Sequence, residues 1–107
     1  MQIYEKRTYS LKVGQMAEAI KVYTELGWPL FEAGGFSTHL VGYFVSDTGT
    51  LHQLMHLWRF KDDAARRDFW QRLYGHADFP AFATRIRPLI ERQEVQLFTS
   101  APWGPRP

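Results

Sequence analysis

The chain has 107 residues, 45% of them hydrophobic, a formal charge of +2 and no cysteine. That length fits one domain, which buries roughly 60 to 68% of the surface its unfolded form exposes and so needs no staple. The missing cysteines exclude disulfides, thiolate metal ligands and thiol nucleophiles, and the mild charge, interspersed with Asp62, Asp63, Asp68 and Glu91, does not select nucleic acid.

No apolar run approaches the roughly 18 residues of a membrane span, and Met1 leads straight into a strand-like pattern with no basic and apolar leader. The expectation is a soluble, unprocessed protein of the cytoplasm. Gln2 to Leu11, rich in β-branched and aromatic residues, predicts a first strand, and Gly14 marks the turn after it. In 15–26, Met16, Ala19, Ile20, Tyr23 and Leu26 recur at steps of three and four, the period of a helix with one apolar face. Gly27 and Pro29 should interrupt that helix, because proline lacks an amide proton and disfavours helical geometry at Trp28 before it. A short extra turn, 30–33, is expected before Gly34 and Gly35.

A second strand is expected over 36–45 and a third over 51–60, joined as a hairpin by Ser46, Asp47, Thr48, Gly49 and Thr50. Asp62 suits the cap of the next helix, since its carboxylate can accept from free first-turn amides at the positive end of the dipole. Ala65, Phe69, Trp70, Leu73 and Tyr74 give that helix a buried face, and Gly75 ends it. Pro80 opens another helix with the stripe Phe82, Ala83, Ile86 and Leu89, limited by Pro88. Residues 94–100 alternate as a final strand, leaving a domain over 1–101 and an irregular Pro/Gly-rich tail over 102–107.

This order predicts an α+β, ferredoxin-like split βαβ sheet with helices on one face and the first and third strands in the centre. Both faces of the third strand are bulky: Leu51, Met55 and Leu57 on one, Leu54, Trp58 and Phe60 on the other. A second copy of the sheet is the economical cover for the uncovered side, which predicts a homodimer through the sheet face.

Three segments carry a resemblance. The first strand reads Tyr4, Glu5, Arg7, Thr8 and Tyr9; a turn with Gly49 leads to His56, Leu57 and Trp58 and a helix capped at Asp62; and near the end come Ile86, Arg87, Pro88, Leu89, Ile90, Gln93 and Glu94. Together these resemble the NIPSNAP family over nearly the whole chain. The resemblance implies a dimeric α+β barrel, from a superfamily of cofactor-free monooxygenases, haem enzymes, small isomerases and proteins without assigned activity. Two positions depart from the family pattern: His52 stands where many members have asparagine, and Ala65 replaces the acidic residue that would complete a capping box.

His52, His56, Trp58 and Phe60 share one face of the expected third strand because side chains alternate with period two. Residues four apart on a strand are roughly 13 Å apart, so His52 and His56 cannot jointly hold a metal. There is no H-E-x-x-H motif, and no metal or cofactor is expected; His39, His52, His56 and His76 could each face a haem, but no spacing selects one. His56 is either a hydrogen-bonded core histidine or a ligand-facing, proton-transferring one. Arg7, in a central strand, must pair with an acid or point into a polar cavity; Glu5 on the same face is the obvious partner, and an anionic or carbonyl-bearing ligand is the alternative. Trp58, Tyr9, Tyr4, Tyr43 and His39 are core residues by default, with a pocket role for Trp58, Tyr9 and His39 as the sharper reading. Arg66, Arg67 and Arg72 read as a solvated helix face.

Three functions compete. The favoured one is a small-molecule binder or enzyme with Arg7 and His56 as the few polar groups of an aromatic pocket; as a cofactor-free oxygenase or an isomerase, His56 would accept a proton and Arg7 hold an oxyanion. A non-enzymatic interaction module is the second. RNA binding is remote, because the first and third strands lack the stacking-aromatic signature that this strand order carries in RNA-binding domains.

Overall fold

The computed structural model describes residues 2–107. Strand β1 (Ile3–Leu11) is followed by helix α1 (Met16–Val22), a π-helical turn (Tyr23–Gly27) and helix α2 (Trp28–Ala33). A 3-10 turn (Phe36–His39) leads into β2 (Leu40–Val45), then β3 (Gln53–Phe60), α3 (Asp63–Tyr74), α4 (Phe79–Ile86), a 3-10 turn (Arg87–Leu89) and β4 (Ile90–Phe98). The sheet is antiparallel with the order β2-β3-β1-β4 and carries its helices on one face, the ferredoxin-like arrangement with the first and third strands central.

The helices cover the face that carries Glu5, Arg7, Tyr9 and Leu11 of β1 and Leu54, His56, Trp58 and Phe60 of β3. Along β3 burial alternates strictly, with the even-numbered residues buried and the odd ones half-exposed. Against that face pack Phe69 and Leu73 of α3, Phe82 and Ile86 of α4, Val22 of α1 and Leu30 and Phe31 of α2. The open face presents Lys6, Thr8, Gln53, Arg59, Glu94 and Gln96 around Met55, Leu57 and Phe44, so it is more polar than the third strand alone suggests.

Four local expectations need correction. The helix is not interrupted at Gly27 and Pro29: it runs on from α1 to α2, and the Trp28 amide donates to the Tyr23 carbonyl five residues back. The widened turn absorbs a proline without breaking the helix. Gly27 is required there, since a Cβ would stand 2.9 Å from both the Phe82 and Tyr23 rings. The second strand starts at Leu40, because Phe36–His39 coil into a 3-10 turn. The third starts at Gln53, since His52 adopts a left-handed φ of 61° and gives its carbonyl to the Leu11 amide at 2.7 Å. His52 therefore does not share the strand face of His56. The last strand begins four residues earlier, at Ile90, where the 3-10 turn releases the chain in register with Leu11.

Asp62 caps α3 as expected, accepting from the Ala65 amide at 2.8 Å. Gly75 closes that helix, and residues 99–107 form neither helix nor strand. The tail crosses the open face at one edge, where the Tyr4 hydroxyl donates to the Pro107 carbonyl at 2.9 Å.

Candidate functional site

The register of the sheet puts Arg7 directly opposite His56, and His56 opposite Tyr43 on its other side. These residues all point to the helix-covered face, so the centre of the sheet holds a cation, an imidazole and a phenol under a roof of aromatics. Tyr23 comes down from the π-helical turn, and Trp70 and Tyr74 from the last turns of α3.

Arg7 is nine-tenths buried and its guanidinium lies 3.6 Å above the Trp70 ring. Its Nε donates to Glu5 Oε2 at 2.7 Å and its Nη1 to the Tyr74 hydroxyl at 3.3 Å, with the Tyr9 hydroxyl also within reach of the guanidinium. Both readings of Arg7 thus meet in one side chain, paired to Glu5 through one edge and lining a cavity with the other. Glu5 is fully buried, and its second oxygen accepts from Arg66 Nη1 at 2.8 Å. Arg66, expected on a solvated face, instead turns inward, and both it and Arg67 also pair with Asp63. Three guanidiniums share two carboxylates, which leaves the network short of an anion. Burial works against the charge of Arg7, but the neighbouring Tyr9 and Glu5 outweigh it and hold its pKa above the usual arginine value.

His56 is held by aromatic packing, with ring centroids 4.5 Å from Tyr43, 4.9 Å from Tyr9 and 5.3 Å from Tyr23. Among the described residues no hydrogen bond reaches its imidazole, although it is almost fully buried. Burial, and then the Arg7 charge, push its pKa down to about 3, so at neutral pH it is an uncharged ring with one donor and one acceptor nitrogen. Burial also raises the phenols of Tyr9, Tyr23 and Tyr43 above their ordinary value, so all three are protonated.

Two cavities meet at His56. One, of about 90 Å³, lies under α3 and α4 and is lined by Arg7, Tyr9, Trp58, Trp70, Tyr74 and Gln93 among others. The other, of about 280 Å³, opens between the first helix and the edge strand β2, where Ile20, Trp28, Phe44, Val45 and Leu54 make it apolar. Tyr23 and His56 line both. Among the described residues, the buried polar atoms left without a partner, Trp58 Nε1, Trp70 Nε1 and the Tyr43 hydroxyl, all belong to side chains on one of these cavities. Buried polar groups are rarely orphaned, so each of these atoms calls for an explanation such as local strain or a bound water.

Of the residues singled out in the sequence, the structure brings Arg7, Tyr9, His56 and Trp58 together. His39 lies apart, stacked on Phe60 with Nδ1 3.3 Å from the Arg59 carbonyl, and lines neither cavity. Tyr23, Trp70, Tyr74 and Gln93 were missed as cavity residues. Tyr23 and the α3 aromatics sit on helical stripes that read as core, and an earlier strand start would have put Gln93 on the face of Val95. No group of three or more histidine, aspartate or glutamate residues is placed to hold a metal among the described residues.

The fold and this site define a class: a ferredoxin-like α+β domain with a polar-centred aromatic cavity between sheet and helices. The NIPSNAP family model matches residues 4–105, and the chain belongs to the NIPSNAP family. It is 31% identical over 98 residues to Protein NipSnap homolog 2 of Danio rerio, a match that covers 89% of this chain and 32% of that protein. The chain therefore spans about a third of the length of that relative. The crystal structure of a NIPSNAP family protein from Agrobacterium tumefaciens is 29% identical and superposes with a TM-score of 0.89, covering 96% of this chain and 89% of that one. SnoaB, a cofactor-independent oxygenase from Streptomyces nogalater, is 17% identical with a TM-score of 0.63 and 98% coverage of both chains; it shares the fold. No helix among the described residues is long and apolar enough to cross a membrane.

Proposed function

We propose that this protein binds a small organic molecule in the cavities beside His56, as a homodimer joined through the open sheet face. The observation that carries the reading is the Arg7 guanidinium, nine-tenths buried, which pairs with Glu5 through Nε and lines the cavity beside Tyr9, Trp70 and Tyr74. Glu5 already answers the charge of Arg7, and a ligand oxygen would add a further charge-assisted hydrogen bond to the same guanidinium. Arg7 anchors that oxygen, Tyr9 and His56 flank it, and Trp58 and Trp70 form the aromatic wall.

Binding is better supported than proton abstraction. A base whose conjugate acid has a pKa of about 3 takes a phenol proton of ordinary pKa uphill by about 9.5 kcal/mol, at about 1.36 kcal/mol per unit. Oxygenase or isomerase chemistry through His56 needs Arg7 to stabilise the resulting oxyanion by most of that amount. The dimer rests on the open face, where Phe44 is half-exposed beside Met55 and Leu57 in the centre of the sheet.

Native mass spectrometry of the purified protein tests both parts. The expected spectrum is two chains with a defined additional mass. A monomer at micromolar concentration would sink the dimer; a bare chain whose His56 and Trp70 resonances stay unmoved across a library of small carboxylates, phenols and ketones would sink the ligand.

A further inference from the structure

The two cavities differ in chemistry in a way that specifies a ligand, given that the site binds one. The smaller has cations but no acid: Arg7 and Arg87 line it, and no aspartate or glutamate does. Glu5, the nearest carboxylate, has both oxygens occupied, one by Arg7 and one by Arg66. An oxyanion would therefore meet donors without meeting a competing negative charge. The larger cavity has no charged residue in its lining, and aliphatic and aromatic carbon dominates its walls. Its volume approaches the roughly 300 Å³ at which cavities begin to hold drug-sized ligands, whereas the smaller has room for a head group or a few waters.

What separates them is the side chains of Tyr23 and His56. No hydrogen bond among the described residues pins the Tyr23 hydroxyl. Its ring is kept in place by packing on Phe82, His56 and Tyr43 at centroid distances of 5.1, 5.3 and 6.0 Å. Its backbone opens the π-helical turn, a local widening that often accompanies function.

We infer that the two cavities are one site for an amphiphilic monocarboxylate, its carboxylate on Arg7 and its apolar body running past Tyr23 into the crevice between Ile20, Trp28 and Val45. Tyr23 is the positioning residue that closes the crevice in the empty protein and lies along the ligand in the complex. A carboxylate suits a guanidinium donor in a cavity without acids, and a hydrocarbon body suits walls dominated by carbon around the few polar groups of Thr24, Tyr43 and His56.

The test is calorimetric titration of the full chain with acetate, butyrate, hexanoate and octanoate, and with octanol. Affinity is expected to rise about threefold to fourfold for each methylene that enters the crevice, and octanol to bind at least tenfold more weakly than octanoate. Val45→Trp, at a half-exposed position on the edge strand, should fill the crevice and erase the gain with chain length. Arg7→Gln should erase the preference for octanoate over octanol. Equal binding of octanoate and octanol, or a chain-length gain that survives Val45→Trp, would overturn the inference. If no carboxylate binds yet native mass spectrometry finds another molecule retained, the amphiphile is wrong and the ligand site stands; if neither is found, both fall.

Discussion

At one end of the helix-covered sheet face, Phe36 and Phe60 pack around Phe69 with ring centroids 5.0 to 5.4 Å away and almost no exposure. At the other end, Tyr9, Tyr23 and Tyr43 surround His56 at similar distances, yet the packing is hollow, with cavities on both sides of the imidazole. Both ends are aromatic. The difference lies in the polar atoms: the first end is phenylalanine-rich and closes on itself, whereas the second carries phenols, an imidazole and a guanidinium whose bonding capacity the protein does not exhaust. Aromatic density by itself marks a core; aromatic density around unanswered donors and acceptors is what our proposal of a ligand site rests on.

Substitutions can break or sharpen this contrast. The largest loss should come at the solid end, where Phe69→Ala deletes a fully buried ring and is expected to cost about 3 to 5 kcal/mol in urea unfolding. A cost below about 1 kcal/mol would mean that this end is as loosely filled as the other. Next comes the ion network between the two ends. Glu5→Gln leaves Arg7 and Arg66 buried without their shared carboxylate and should cost about 3 kcal/mol, with the loss carried by the unfolding rate or midpoint rather than by any change in the fold. A neutral outcome would show that water answers these guanidiniums as well as Glu5 does.

The smallest effect at neutral pH, and the most specific, belongs to the hollow end. His56→Phe removes an imidazole that no hydrogen bond holds, so at pH 7.5 it should change stability by less than about 1 kcal/mol. Acid should separate the two proteins. The folded-state pKa of His56 lies below its unfolded value, so its contribution is intact above about pH 6.5 and is lost as pH falls toward about 3. Between pH 6.5 and 5 the wild type should lose about 2 kcal/mol more than His56→Phe. Parallel pH profiles of the two proteins would mean that the imidazole is hydrated or paired and that the second end is not a waiting site.

The strand order, the cap at Asp62, the stop at Gly75 and the identity of Arg7 and His56 as the polar centre were all legible in the residues, because each follows from local chemistry or from alternation along a strand. Where local rules misled, a longer-range contact won. Pro29 reads as a break, but the Trp28 amide reaches Tyr23 and the helix continues. Arg66 reads as solvated, but the buried Glu5 draws it inward.

The sequence by itself determined an antiparallel α+β fold, since periodicity, caps and turns are properties of short segments, and three motifs spread along it carried the resemblance to the NIPSNAP family. Only the tertiary structure decided that Tyr23, from a helix, would stand between two cavities, and that three guanidiniums would converge on two carboxylates. Such facts depend on the crossing of elements distant in the chain, where packing sets which donors find partners and which are left facing empty space.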